Sequence, residues 1–289
     1  MSNLLKSDFY KLFKMKSFYV CCIVAVAIGG IAIALNCALN DMMTSAIDEM
    51  GVMAPDYSTI NLKMLLPSIL SPSGSSLVPG DWFILVMIGV SLFVTTEYNA
   101  GTLKNIVARG FKREYIFISK LMVCIIEALI IALCFAVSCV VLGLIFLGLP
   151  SEGLNGSFVT ELIVTYGIDI LIIAGYTSFI TMLAYLIRTT GGTIASTLCI
   201  HYLIPMVIMM CNIAALMSES ETESGMSMIM SYQSNQYGDV AYYWIGTLGI
   251  TVSESYANGT IYIPILVALA YIVASCGIGL AVFKKRDVK

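Results

Sequence analysis

The 289 residues are 59% hydrophobic and only 11% charged, with a mean hydropathy of +0.92. Soluble domains carry about twice that charged fraction, so an ordinary soluble domain is excluded, and the apolar runs leave no length for a sizeable one. The formal net charge of −3 hides a segregation: fourteen of the fifteen Lys and Arg lie on one side of successive apolar runs, and only Lys63 lies on the other.

Residues 1–16 place Leu5, Phe9, Leu12 and Phe13 at helical spacing, with Leu4 beside them and Lys6, Asp8 and Lys14 mostly elsewhere on the wheel. This pattern predicts an amphipathic helix along the inner leaflet, anchored by lysines. A span needs about 20 apolar residues. Residues 17–40 are uncharged and long enough, and read as a true span rather than a cleavable signal. Residues 41–78, rich in Ser, Pro and acid, are expected to form an outer segment. The next apolar run, 82–96, is short, about 22 Å as a helix. It is expected to begin near Pro79, with Pro in the first turn and Trp82 in the outer interface, giving a span over 79–96.

Spans at 121–149, 162–187, 191–217 and 260–283 complete a set of six. Residues 218–259 form a second long outer segment without Lys or Arg. Its aromatic part, with Tyr242, Tyr243 and Trp244, is too short to cross. It predicts a re-entrant or interfacial helix over roughly 240–252, placed to form part of an outer gate.

The cations sort by side. Lys6, Lys11, Lys14 and Lys16 precede the first span. Lys104, Arg109, Lys112, Arg113 and Lys120 fall between the second and third, Arg188 between the fourth and fifth, and Lys284, Lys285, Arg286 and Lys289 after the sixth. Lys and Arg are retained on the cytoplasmic face. The expected architecture is therefore an all-α integral membrane protein with six transmembrane helices and both termini cytoplasmic. A basic inner face suits anionic lipid and makes no case for nucleic acid.

Chemistry-bearing residues are few. The nine cysteines lie in or at the ends of apolar runs, where cysteine acts as a small hydrophobe. There is no phosphate-cradling Gly-x-x-x-x-Gly-Lys-Ser/Thr loop, no His-Glu-x-x-His and no Cys-x-x-Cys. His201, the one histidine, lies within the fifth span near Pro205 and reads as structural or pore-facing rather than as a metal ligand. Glu127 and Asp169 lie inside the third and fourth spans. Intramembrane acids face a polar partner or a water-filled path. With no buried Lys or Arg beside them, hydrogen-bonded staples to Tyr, Ser or Thr are the first expectation and an ion relay the second.

The inner segment 97–120 is the most specific. Gly101 can end the helix leaving the second span, and Thr102 can cap a new helix from Leu103 to Arg109, held at the surface by Lys104 and Arg109. An exposed helix of this kind is a knob for a soluble partner. Glu97 and Tyr98, then Gly101-Thr102, then a short helix with Lys104, then a basic cluster with Arg113, then Lys120 at the start of the next span together resemble the signature of type-two ABC-exporter permeases. The resemblance implies that 103–109 is a coupling helix seated in a groove of a separate ATPase. Glu97, Gly101, Thr102, Leu103, Lys104, Arg109, Arg113 and Lys120 would then be the coupling residues.

It further implies a second permease, identical or related, and two ATPase copies. ATP and Mg would be bound by the ATPase and no cofactor by this chain, which would catalyse nothing itself. The implied location is the bacterial cell membrane, and the implied cargo a peptide, an antibiotic or an amphipathic, lipid-like molecule. An ion-coupled secondary transporter using Glu127 and Asp169 is the alternative, although no inverted repeat is visible. A polytopic membrane enzyme is a further one, although no cluster of polar residues at an interface supports it.

Overall fold

A computed structural model describes residues 2–50, 62–72, 81–101, 106, 108, 110–148, 155–219 and 242–285, and no strand occurs among them. The chain forms α1 (Ser2–Lys14), α2 (Lys16–Met50), a short α3 (Leu62–Leu65), α4 (Phe83–Asn99), α5 (Arg113–Phe146), α6 (Gly156–Ile187), α7 (Thr190–Glu219), a short α8 (Ile245–Leu248), α9 (Val252–Ala257) and α10 (Tyr262–Lys285).

Five helices, α2, α5, α6, α7 and α10, are long and apolar enough to cross a membrane. The sixth, α4, is apolar but only 17 residues long. That is about 26 Å of helix, slightly under the ~30 Å hydrocarbon core. The earlier start expected near Pro79 falls on residues 73–80, outside the described residues.

Several helices outrun their expected ends. α2 continues through Met50 into the expected outer segment, because 41–50 contains neither Gly nor Pro and the first breaker is Gly51. α5 starts at Arg113 rather than 121, after an extended Lys112, with Glu114 complementing the dipole in its first turn. Half of the expected 97–120 loop is therefore helix. α6 starts at Gly156 rather than 162, behind an extended Asn155, and closes on Arg188 in the left-handed region at φ 63°. Only Arg188 and Thr189 separate it from α7, so these two helices run antiparallel. Pro205 is accommodated inside α7.

Small residues set the helix contacts. A Cβ on Gly279 of α10 would lie 2.6 Å from Phe117 Cζ of α5. One on Gly175 of α6 would lie 3.1 Å from the Ala268 carbonyl of α10. Gly29 of α2 faces Ser138 and Cys139 of α5, and the Cys139 thiol donates to the Gly29 carbonyl at 3.9 Å. Such close approach is the usual way apolar helices associate where burial of apolar surface gives no advantage over lipid.

Aromatic rings fill the centre. Trp82 stacks on Phe135 at 5.7 Å and Phe83 on Tyr176 at 4.7 Å. Trp82 is buried, and its indole N–H is satisfied by the Ser71 carbonyl at 3.3 Å. A partner for that N–H is what a buried Trp requires.

In the aromatic segment Tyr242 lies in a 3-10 turn and a helix runs over Ile245–Leu248, within the expected 240–252; Val240 and Ala241 lie outside the described residues. Ile245–Leu248 are buried against the bundle. Trp244 packs edge-on against Phe179 of α6 (6.3 Å) and Tyr271 of α10 (6.2 Å). Tyr271 lies about 14 Å along α10 from its start. The chain therefore dips into the bundle at Trp244 and climbs back through α8 and α9 to the start of α10. Tyr243 points outward, 65% exposed. Residues 220–241 lie outside the described residues.

Candidate functional site

At the α1 end of the bundle the structure collects four charges from three helices. The Lys120 ammonium of α5 lies 2.9 Å from Asp8 Oδ1 of α1 and 2.5 Å from Glu97 Oε1 of α4. Lys11 Nζ of α1 lies 2.9 Å from the same Glu97 oxygen. Ser119 Oγ donates to Asp8 Oδ2 at 2.8 Å, and Lys120 sits 4.6 Å from the centre of the Phe93 ring. Asp8 and Lys120 are fully enclosed. Two cations against two anions leave the cluster neutral, and its hydrogen bonds satisfy ions that would otherwise be costly to desolvate.

Asp8 corrects the expected helical wheel, which placed it away from the apolar face. Leu4, Asp8 and Leu12 form one buried line at four-residue spacing, and this line faces α5. The exposed side carries Tyr10 and Phe13. So α1 is held by a buried ionic anchor as well as by an apolar face. Beside it, Tyr10, Lys11, Lys14, Met15, Phe93 and Thr96 line a cleft of about 310 Å³ between α1 and α4.

This anchor grips both ends of the 100–112 connection. α4 ends two residues after Glu97, and Gly101 adopts φ 65° where the chain turns away. Gly110, at φ 83°, precedes α5. Arg113 donates to the Phe283 and Lys284 carbonyls at the end of α10 (3.3 and 3.0 Å), and Lys284 pairs with Glu114. These bonds serve the unsatisfied carbonyls of a helix C-terminus. Thr95 meets Thr190 at 3.0 Å, and Arg188 lies 5.6 Å from the Tyr98 ring centre. The ends of α4, α5, α6, α7 and α10 at this face are thus linked around the connection.

Within the connection, Ile106 and Ala108 are helical and Ala108 is exposed. Thr102, Leu103, Lys104 and Arg109 lie outside the described residues. Of the expected coupling residues, Glu97 and Lys120 meet directly and inside the protein, while Arg113 serves the α5–α10 junction.

The intramembrane acids do not make the expected staples. Asp169 is fully buried, and neither of its carboxyl oxygens has a hydrogen-bond partner among the described residues. Glu127 is buried against Gly89 of α4, and its Oε2 likewise has none. Two hydroxyls of α6, Thr177 and Thr181, donate instead to carbonyls four residues back in their own helix.

At the start of α4, and part-way along α6 and α7, His201 of α7 uses both ring nitrogens. Nε2 lies 2.7 Å from Asp81 Oδ2 and Nδ1 lies 2.7 Å from the Tyr176 hydroxyl. Tyr202 donates to the same Asp81 oxygen at 3.0 Å. The histidine thus joins α6, α7 and the entry to α4. Asp81 and Tyr176 carry no motif that sequence reasoning could have caught. The one available signal was an acid directly before the Trp82-Phe83 apolar run.

Residues 74–289 match the model of a family described as a protein of unknown function (DUF2705), and the chain belongs to that family. No curated protein matches the chain, and no solved structure matches it.

Proposed function

We propose that this chain is the membrane permease subunit of an ATP-driven exporter of the bacterial cell membrane. It would cross the membrane six times with both ends cytoplasmic, pair with a second permease, identical or related, and be driven by two copies of a separate ATPase. The cargo class is a peptide, an antibiotic or a lipid-like amphiphile.

One observation carries the reading: the Asp8–Lys120–Glu97–Lys11 anchor clamps both flanks of the 100–112 connection to α1. A push on that connection by a soluble partner is then borne by α1, α4 and α5 together rather than lost in a loose loop. This is what a coupling segment between two states of different access requires. The one-sided distribution of Lys and Arg supports the orientation, and the cleft bearing Lys11 and Lys14 beside α1 suits anionic headgroups of the inner leaflet.

The test is co-purification from native membrane in mild detergent, with mass spectrometry of the intact complex. A nucleotide-binding ATPase in stoichiometric amount is expected. Charge reversal at Lys104 together with Arg109 should release it or uncouple transport while the permease stays in the membrane. Retained ATPase and normal transport in that double variant would remove the coupling role of 103–109.

A second reading, an ion-coupled transporter, is favoured by two enclosed acids: the Asp169 carboxyl and Glu127 Oε2 have no hydrogen-bond partner among the described residues. Transport that follows an imposed ion gradient in vesicles without ATP would select it.

A further inference from the structure

Part-way along α7, beside the start of α4, a cleft of about 260 Å³ lies between α7 and the dipping segment. Its walls include Pro205, Met206 and Ile250, with Asp81, His201 and Tyr202 at one side. Two donors, His201 Nε2 and the Tyr202 hydroxyl, converge on Asp81 Oδ2. With the ring proton on Nε2, the imidazole donates to the carboxylate and accepts from the Tyr176 hydroxyl. Asp81 Oδ1 is buried and has no hydrogen-bond partner among the described residues, and no Lys or Arg pairs with Asp81 among them. A carboxylate at an apolar cleft, its side chain partly exposed and no Lys or Arg beside it among the described residues, is an incomplete ion pair.

We propose that this cleft binds an organic cation on an apolar body. Its ammonium group pairs with the Asp81 carboxylate, and its hydrocarbon lies along Pro205, Met206 and Ile250. The size suits a cationic head and a short chain rather than a whole large molecule, since sites for drug-sized ligands run from about 300 Å³ upward. The head could belong to an alkyl amine or to a lysine of an apolar peptide. As the export substrate's site it rests on the exporter reading. As a binding site it does not, because binding needs no ATPase.

The experiment uses the purified full chain in phosphatidylcholine nanodiscs and follows tryptophan emission. The chain has only two Trp. One directly follows Asp81, and the other lies two residues before Gly246, which also lines the cleft. Octylammonium is titrated against 1-octanol and octanoate. A preference of about tenfold or more for the cation is expected, and it should vanish in Asp81→Asn.

Met206→Lys alters an exposed wall residue, sets a competing cation at the cleft and should abolish octylammonium binding with the fold intact. Equal affinity for octanol, a cation preference that survives Asp81→Asn, or unchanged binding in Met206→Lys would each overturn the proposal. A parallel titration with acetyl-Leu-Lys-Leu-amide against its Leu-Gln-Leu counterpart distinguishes the sources: a stronger lysine peptide points to peptide cargo, a stronger octylammonium to a lipid-like amine. Loss of ATPase co-purification would leave these affinities untouched, so failure of the exporter reading is told apart from failure of the site.

Discussion

Lys120 and Asp8, 112 positions apart in sequence, meet at 2.9 Å with each side chain only 1% exposed. The pair joins the amphipathic α1 to the first turns of α5 inside the protein. Glu97 ties α4 to the same ammonium. The helix that sequence places on a membrane surface is therefore also an integral part of the bundle, fixed where the 100–112 connection begins and ends.

The arms of this cluster should be unequal. Removing one partner of a buried pair strands the other and costs about 3–5 kcal/mol, so Asp8→Ala should lower the unfolding midpoint in detergent strongly. The Lys11 side chain is 36% exposed, and a solvated pair contributes about 1 kcal/mol or less, so Lys11→Ala should shift the midpoint little. Asp8→Asn combined with Lys120→Met removes the pair together and should recover much of the loss. Equal effects of Asp8→Ala and Lys11→Ala would contradict the burial argument.

The long helices were legible because each apolar run has the length of a span, and the one-sided cations set an expected order of crossings. Helix ends were misjudged where charge marked the water boundary but no breaker marked the helix boundary: α2 runs on past Asp41, and α5 begins eight residues before Leu121. The polar clusters were illegible because their members are remote, Asp8 from Lys120 and Asp81 from His201, and no local period links them. One signal was available. Asp8 falls between Leu4 and Leu12 on a buried line, and an acid in that register needs a cation opposite. Gly101, by contrast, follows from local backbone chemistry, which needs no knowledge of the fold.

Close packing at Gly279 gives a paired test. A methyl there would press on the Phe117 ring, which is itself buried, whereas Gly277 on the same helix faces open space. Gly279→Ala should destabilise by about 1–3 kcal/mol through overpacking, and Gly277→Ala should be neutral or slightly stabilising through helix propensity. Adding Phe117→Leu to Gly279→Ala should relieve the clash. Thermal unfolding of the three variants and the parent chain in one detergent decides it, and similar midpoints for the two Gly→Ala variants would show that α5 and α10 are not in close contact.

The enclosed acids separate the two transport readings. Asp169→Asn and Glu127→Gln keep shape and remove charge. If ATP drives transport, no ion need pass these groups, and both variants should keep transport within about a factor of two, since among the described residues neither oxygen of Asp169, nor Oε2 of Glu127, has a hydrogen-bond partner to lose. Uptake into inverted vesicles measures this directly. Complete loss in either variant, at wild-type expression, would move the assignment to an ion relay.

Whether α4 crosses the membrane can be decided by parity. Ser45 is exposed near the end of α2, about 45 Å along that helix from Lys16, which clears a hydrocarbon core of ~30 Å. Ala108 is exposed after α4. In a chain whose nine native cysteines are replaced, Ser45→Cys should react with an impermeant maleimide from outside intact cells, and Ala108→Cys only after the cells are opened. The two sites differ in side only if α4 crosses once between them. Its 17 residues are slightly short for the core, a mismatch that a bilayer meets by local thinning at a modest cost. Ser157 and Ser253, both exposed, extend the test: each should label from outside if α5, α6, α7 and α10 alternate as the charge pattern requires. Reaction of Ser45→Cys and Ala108→Cys from the same side would make α4 a buried half-helix, reduce the crossings to five and place the two chain ends on opposite faces.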